Sequence, residues 1–105
     1  MKLRDLFEAV VVDPKRVESE TDRLLRRDMY NDAVVALAKA LEDRSFSSLR
    51  TLAQRLKSES DPKKRLVYTK QRDGFLKQLL DQYTIRFGED AGTALQKRFD
   101  EYEPQ

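Results

Sequence analysis

The sequence contains no histidine, no cysteine and only three glycines in 105 residues. Without histidine there is no imidazole to act as a base near neutral pH or as a metal ligand. Without cysteine there is no thiolate nucleophile, no cysteine-bound zinc and no disulfide. The glycines, Gly74, Gly88 and Gly92, do not form a spaced phosphate-binding set with lysine and serine or threonine. We therefore predict that the protein is not an enzyme and that it has no metal ion or other cofactor.

Long apolar runs are also absent. Residues 1–5 alternate charged and apolar side chains, and no apolar stretch of the sequence is long enough to span a bilayer. With no cysteine the fold would be held by packing alone, which suits a reducing compartment. The sequence thus predicts a cytoplasmic protein without membrane association or, if a phage encodes it, a protein of the virion or the host cytoplasm.

Basic residues are concentrated in one part of the chain. The net charge is only +2, yet residues 61–87 carry seven basic and three acidic side chains, whereas residues 88–105 carry two and five. The excess of positive charge is therefore local. This distribution favours one basic patch over a general attraction of the whole surface to nucleic acid.

Regularly spaced apolar residues predict helices along the chain. The first helix follows from five residues that share one helical face through the i, i+3, i+4, i+7, i+8 spacing: Leu3, Leu6, Phe7, Val10 and Val11. As the first predicted helix, it is expected to be tied to the rest of the fold at only one end. It is therefore a candidate interface helix, available to a protein partner or to a symmetric homodimer.

Aspartate–proline pairs predict where two further helices begin. The aspartate is a good N-cap and the proline suits the first helical position, so helices are expected to start at Asp13 and at Asp61. The first is expected to end near residue 28. The second is expected to continue to Gly88, with a break or kink near residues 72–74, where a glycine would weaken the helix.

Three more helices are predicted from weaker signals. The asparagine and aspartate at 31–32 offer a cap before a helix over 33–41, and the serine-rich stretch 45–48 begins a helix that continues to residue 56. A short helix with an acidic end follows over 91–102. The helix over 33–41 is apolar on most sides and is the best candidate for the centre of the core.

The predicted fold is all-α. Hydrophobic residues make up 39% of the chain, which is enough for one thin core. We expect residues 1–105 to form a single domain of five to six helices, packed as a compact bundle or an orthogonal globule.

The lysines and arginines of segment 63–77 fall on different faces of the predicted helix. On a continuous helix Lys63, Lys70 and Lys77 recur every seven residues and form a stripe with a spacing of about 10.5 Å, opposite the leucine stripe of the same helix. Arg65 and Arg72 fall near the apolar side, in the company of aromatic residues. These arginines either pair with acidic groups of the chain itself or belong to a binding surface.

Two functions remain open. The first is a small helical adaptor or regulatory subunit that acts through protein–protein contacts, a role compatible with membership of a nucleic-acid-handling assembly. The second is direct binding of nucleic acid by the basic segment 63–77, with lysines on phosphates and the other residues on bases or sugars. The candidate partner-binding or nucleic-acid-binding residues are Lys63, Lys64, Arg65, Tyr68, Lys70, Arg72 and Lys77.

Overall fold

Five helices account for most of residues 13–102, which are the residues that the computed structural model describes. The prediction of an all-helical fold is confirmed over this range, and the number of helices fits the expected five to six. The predicted helix of residues 3–11 lies outside the described residues. The helices are α1 (Pro14–Arg26), α2 (Tyr30–Ala40), α3 (Phe46–Ser58), α4 (Pro62–Phe87) and α5 (Glu89–Glu101).

Both aspartate–proline pairs start helices as predicted. The side chains of Asp13 and Asp61 each accept a hydrogen bond from the backbone N–H two residues ahead, in Lys15 and Lys63, at 3.0 Å. Each bond satisfies one of the N–H groups that the first turn of a helix leaves without a backbone partner. The starts of α1 and α4 are therefore determined locally.

The predicted start of α2 is wrong. The helix begins at Tyr30, with Met29 in the N-cap position and no side-chain cap. Asn31 and Asp32 lie inside the first turn, where the amide of Asn31 accepts a hydrogen bond from Arg72 and the carboxylate of Asp32 pairs with Lys57 of α3 at 3.1 Å. The two side chains that were expected to cap the helix thus bond instead to residues that are distant in the sequence.

Helix α4 is continuous through Gly74, so the expected break near residues 72–74 does not occur. At 26 residues the helix is about 39 Å long. Its length gives the molecule its elongated form, with extents of 52, 27 and 23 Å. Gly74 is exposed and faces open space, so only its own weak helix propensity acts against the helix there.

The core is centred on α2, as the sequence predicts. This helix packs against α1, α3 and α4, and its inner residues Ala33, Val34, Leu37 and Ala38 are almost completely buried. Small side chains on α2 allow its neighbours to approach closely. The other helices contribute mainly leucines and aromatic residues, among them Leu49, Leu52, Leu56, Leu79, Tyr83, Leu95 and Phe99.

One residue connects α4 to α5. Gly88 adopts a φ of 99°, in the left-handed region that favours glycine, and the chain reverses there without a longer loop. The two helices then pack closely, because Gly92 lies against the side chain of Thr84. Arg98 also ties α5 to α1 through the carboxylate of Asp22, at 2.8 Å.

Tyr83 joins the C-terminal half of α4 to the start of α1. Its side chain is fully buried and its hydroxyl donates a hydrogen bond to the backbone carbonyl of Pro14 at 3.3 Å. Because burial disfavours the charged phenolate, the pKa of Tyr83 is raised to about 12.

Two glycine substitutions are expected to change stability in opposite directions. Gly74→Ala places a methyl group in open space on an exposed helical position, so it should stabilise the fold by about 0.5–1 kcal/mol. Gly92→Ala places its Cβ 2.8 Å from the Cβ of Thr84, so it should destabilise the fold by about 1–3 kcal/mol. Urea denaturation of the two variants and the wild type measures both effects, and equal midpoints for the variants would contradict this account of the packing.

The raised pKa of Tyr83 predicts a pH-dependent stability. The Tyr83 hydroxyl has the ordinary tyrosine pKa of about 10 in the unfolded chain and a pKa of about 12 in the folded protein. Between these pH values the unfolded chain has lost the proton while the folded protein retains it, so a rising pH favours unfolding. The wild type should therefore lose about 2 kcal/mol of stability over this interval. It should be more stable than Tyr83→Phe by about 1 kcal/mol at pH 8, where the hydrogen bond to Pro14 is intact.

Urea denaturation of wild type and Tyr83→Phe at a series of pH values measures this difference. Because the two proteins share all other titratable groups, the difference between their free energies of unfolding reports on Tyr83 alone. The advantage of the wild type should shrink as the pH rises above 10, and a difference that does not change with pH would show that Tyr83 titrates normally.

Candidate functional site

The two halves of α4 differ in burial. Every buried side chain of this helix lies at or beyond Arg72, and residues 62–71 contain none. Within 62–71 three side chains are half-buried, those of Arg65, Tyr68 and Thr69. The N-terminal half of α4 therefore lies at the margin of the core, and most of its circumference faces solvent.

Two adjacent aliphatic residues are exposed on this half of the helix. Leu66 is 58% exposed and Val67 is 52% exposed. Because residues three and four apart are neighbours on a helix, Lys63 and Lys70 both flank this pair. We call these four residues, Lys63, Leu66, Val67 and Lys70, the α4 strip.

The charge around the α4 strip is positive. Lys63, Lys64, Lys70 and Lys77 are exposed, and none of them forms an ion pair with another residue of the range 13–102. Two carboxylates near these lysines already have partners within the chain. Asp61 caps the helix, and Asp73 pairs with Arg72 at 3.1 Å. The lysine charges are thus available to a ligand.

Arg65 is held by the end of α3. Its guanidinium donates hydrogen bonds to the backbone carbonyls of Leu56 and Glu59, at 2.6 and 3.0 Å. Carbonyls at a helix C-terminus lack partners within the helix, and a cation there also complements the helix dipole. Arg65 therefore fixes the turn between α3 and α4, and its Nη1 donors are used by backbone carbonyls of the chain itself.

Arg72 is a buried charge at the contact between α2 and α4. It is 5% exposed and donates hydrogen bonds to the side-chain oxygens of Asn31, at 2.7 Å, and Asp73, at 3.2 Å. The guanidinium carbon also lies 4.6 Å from the ring centroid of Tyr30, a cation–π arrangement. Burial raises the pKa of the Tyr30 hydroxyl, and the positive charge of Arg72 opposes that rise.

The predicted site residues thus divide into two groups. The four lysines point to solvent, whereas Arg65 and Arg72 bond to the chain itself and Tyr68 packs against the core. The structure places Lys63, Lys64 and Lys70 beside Leu66 and Val67, which were not among the predicted residues. Lys77 lies ten residues beyond Val67, about 15 Å further along α4. The available signal for the aliphatic pair was their position away from the leucine stripe, where an amphipathic helix normally carries polar residues: Val67 lies opposite the stripe and Leu66 lies to one side of it.

A surface groove of about 610 Å³ continues the strip between α3 and α4. Arg55 of α3 and Lys70 of α4 line it together, Phe75 provides an aromatic surface, and the missing side chain of Gly74 leaves room for close approach. No acidic residue of the described range lines the groove. Strip and groove therefore adjoin through Lys70, and the groove combines Leu52 and Phe75 with two cations and several uncharged polar side chains.

Loss of the Arg72 guanidinium should be costly. Arg72→Ala removes its hydrogen bonds, the cation–π contact and the packing of its stem, so we expect a loss of about 2–3 kcal/mol. Arg72→Lys retains the charge but not the planar fork, and should cost about 1–2 kcal/mol.

Arg86→Ala is the matched control, because Arg86 is exposed on the same helix, and its stability should change by less than about 0.5 kcal/mol. Urea denaturation of the three variants provides the measurement. A loss for Arg72→Ala no larger than that for Arg86→Ala would show that Arg72 does not hold α2 and α4 together.

None of the described helices is both long and apolar enough to cross a membrane. Comparison with known proteins finds no match to this chain among protein-family models, curated sequences or solved structures.

Proposed function

We propose that this chain is a non-enzymatic adaptor or regulatory subunit that binds a protein partner through the α4 strip. The observation that carries the proposal is the joint exposure of Leu66 and Val67, at 58% and 52%, on a helical segment that buries no side chain. Full burial of an aliphatic side chain of this size is worth about 1.5–3 kcal/mol. A partner that covered both residues would gain a substantial part of that free energy.

The dimensions of the surface suit a helix of a partner protein. From residue 63 to residue 78 the strip and the adjoining groove extend for about 23 Å along α4. This length matches four to five turns of a second helix, and a helix in a groove is a common mode of peptide recognition. The surrounding lysines would then lie at the rim of the interface, where polar groups are normally found.

Direct binding of nucleic acid is the second candidate function. Four exposed lysines on 15 residues of α4, with no ion pairs to other described residues, favour it, since each would contact a phosphate. The internal hydrogen bonds of Arg65 and Arg72 count against it, because they remove the two arginines expected to contact bases. The two functions also differ in what they require of Leu66 and Val67, because phosphate binding needs lysines but no aliphatic pair.

Replacement of the aliphatic pair tests the proposal. Leu66→Gln with Val67→Gln keeps good helix propensity and all charges, so stability should change little, whereas partner affinity should fall at least tenfold. Ile85→Gln is the matched control, because Ile85 is 84% exposed on the same helix but lies outside the strip.

The measurement is affinity capture from an extract of the source organism with each variant as bait, followed by titration of the purified partner. Ile85→Gln should bind like the wild type. Equal capture by the double variant and the wild type would exclude the α4 strip as the docking surface. Oligonucleotide binding that survives in the double variant would favour the second candidate.

A further inference from the structure

We infer that the segment bound by the α4 strip is an acidic amphipathic helix, with aliphatic residues along one face and aspartate or glutamate beside them. The inference rests on the proposed function and specifies the chemistry of the partner. Its basis is the positive charge around the strip, the spacing of those charges, and the surfaces that a second copy of this chain would offer.

The cations around the strip favour a partner of opposite charge. Lys63, Lys64 and Lys70 all lie three or four residues from Val67 on the helix surface, so they surround the aliphatic pair. Arg55 adds a further cation from the α3 side of the groove. A partner without carboxylates would crowd or cover these charges without neutralising them, which makes docking unfavourable.

The spacing of the cations favours a helical partner. Lys63, Lys70 and Lys77 recur about every 10.5 Å along α4. On a second helix running along α4, carboxylates seven residues apart have the same spacing. Aliphatic residues three and four positions from those carboxylates would face Leu66 and Val67.

Within residues 13–102, neither the strip nor the acidic surface of a second copy supplies such a partner. Two strips packed face to face about a twofold axis would bring Lys63 and Lys70 of both copies together, and the like charges would repel. The acidic surface of α5, which includes Glu89, Asp90 and Asp100, carries no large exposed aliphatic residue to cover Leu66 and Val67. Neither of these described surfaces therefore favours a second copy over a different protein as the occupant.

Photo-crosslinking identifies the chemistry of the bound segment. The full chain carrying Val67→p-benzoylphenylalanine is irradiated in an extract of the source organism, and the crosslinked peptide is sequenced by mass spectrometry. The expected peptide has negative net charge, with at least two acidic residues interleaved with aliphatic ones. The same photoreactive group at Ile85 is the control for non-specific capture.

The other outcomes separate this inference from the proposed function. A crosslinked protein segment that is neutral or basic overturns the acidic partner and leaves the adaptor function standing. Crosslinks to nucleic acid, or none above the Ile85 control, overturn both.

Charge reversal provides a quantitative test with a synthetic peptide of the crosslinked segment. Lys63→Glu with Lys70→Glu should lower the association rate constant at low salt at least tenfold and remove most of its salt dependence. Lys15→Glu with Lys39→Glu makes the same change in net charge at exposed positions on α1 and α2, and should stay within twofold of the wild type.

Substitution of each acidic residue of the peptide by its amide should weaken binding to the wild type at least tenfold. Unchanged binding by the Lys63→Glu, Lys70→Glu variant overturns the inference. If Leu66→Gln with Val67→Gln still abolishes binding of the same peptide, the proposed function survives that result.

Discussion

The guanidinium of Arg72 is the one full charge that the described part of this protein buries, and the arrangement of α2, α4 and α5 depends on how it is satisfied. A buried charge is tolerated only when it is paired and hydrogen-bonded. Asp73 of α4 supplies the ion pair, and Asn31 and the ring of Tyr30 supply a hydrogen bond and a cation–π contact from α2. Tyr30 in turn stacks on Tyr102 with ring centroids 5.4 Å apart and meets Phe99 edge-on at 5.6 Å. One cluster therefore holds the start of α2, the middle of α4 and the end of α5.

The position of Arg72 also divides α4 by environment. Beyond this residue the helix buries Leu76, Leu79, Leu80 and Tyr83, whereas residues 62–71 form an extension that buries no side chain. The extension is supported at its beginning by the cap of Asp61 and by the hydrogen bonds of Arg65 to the end of α3. It is thus a rigid helical surface, and a preorganised surface loses little conformational entropy when it binds a partner.

The aliphatic residues and the lysines of the proposed docking surface would contribute differently to binding. Aliphatic side chains such as Leu66 and Val67 would provide most of the affinity, because their burial removes apolar area from water. Lysines at the rim would chiefly accelerate association and reject partners of the wrong charge. The net charge of the chain is modest overall but strongly positive in residues 61–87. This uneven distribution is consistent with a patch that selects an acidic partner.

The sequence by itself determined the features that depend on neighbours within about one helical turn. It determined the starts of α1 and α4 at Asp13 and Asp61, the leucine stripe, and the lysines on the opposite face of α4. Only the tertiary structure decided that Arg72 bonds to Asn31, 41 residues away, that α2 therefore begins without a side-chain cap, and that α4 continues through residue 74. It also decided that Leu66 and Val67 are exposed, because burial depends on where a helix extends past its neighbours, which no local pattern encodes.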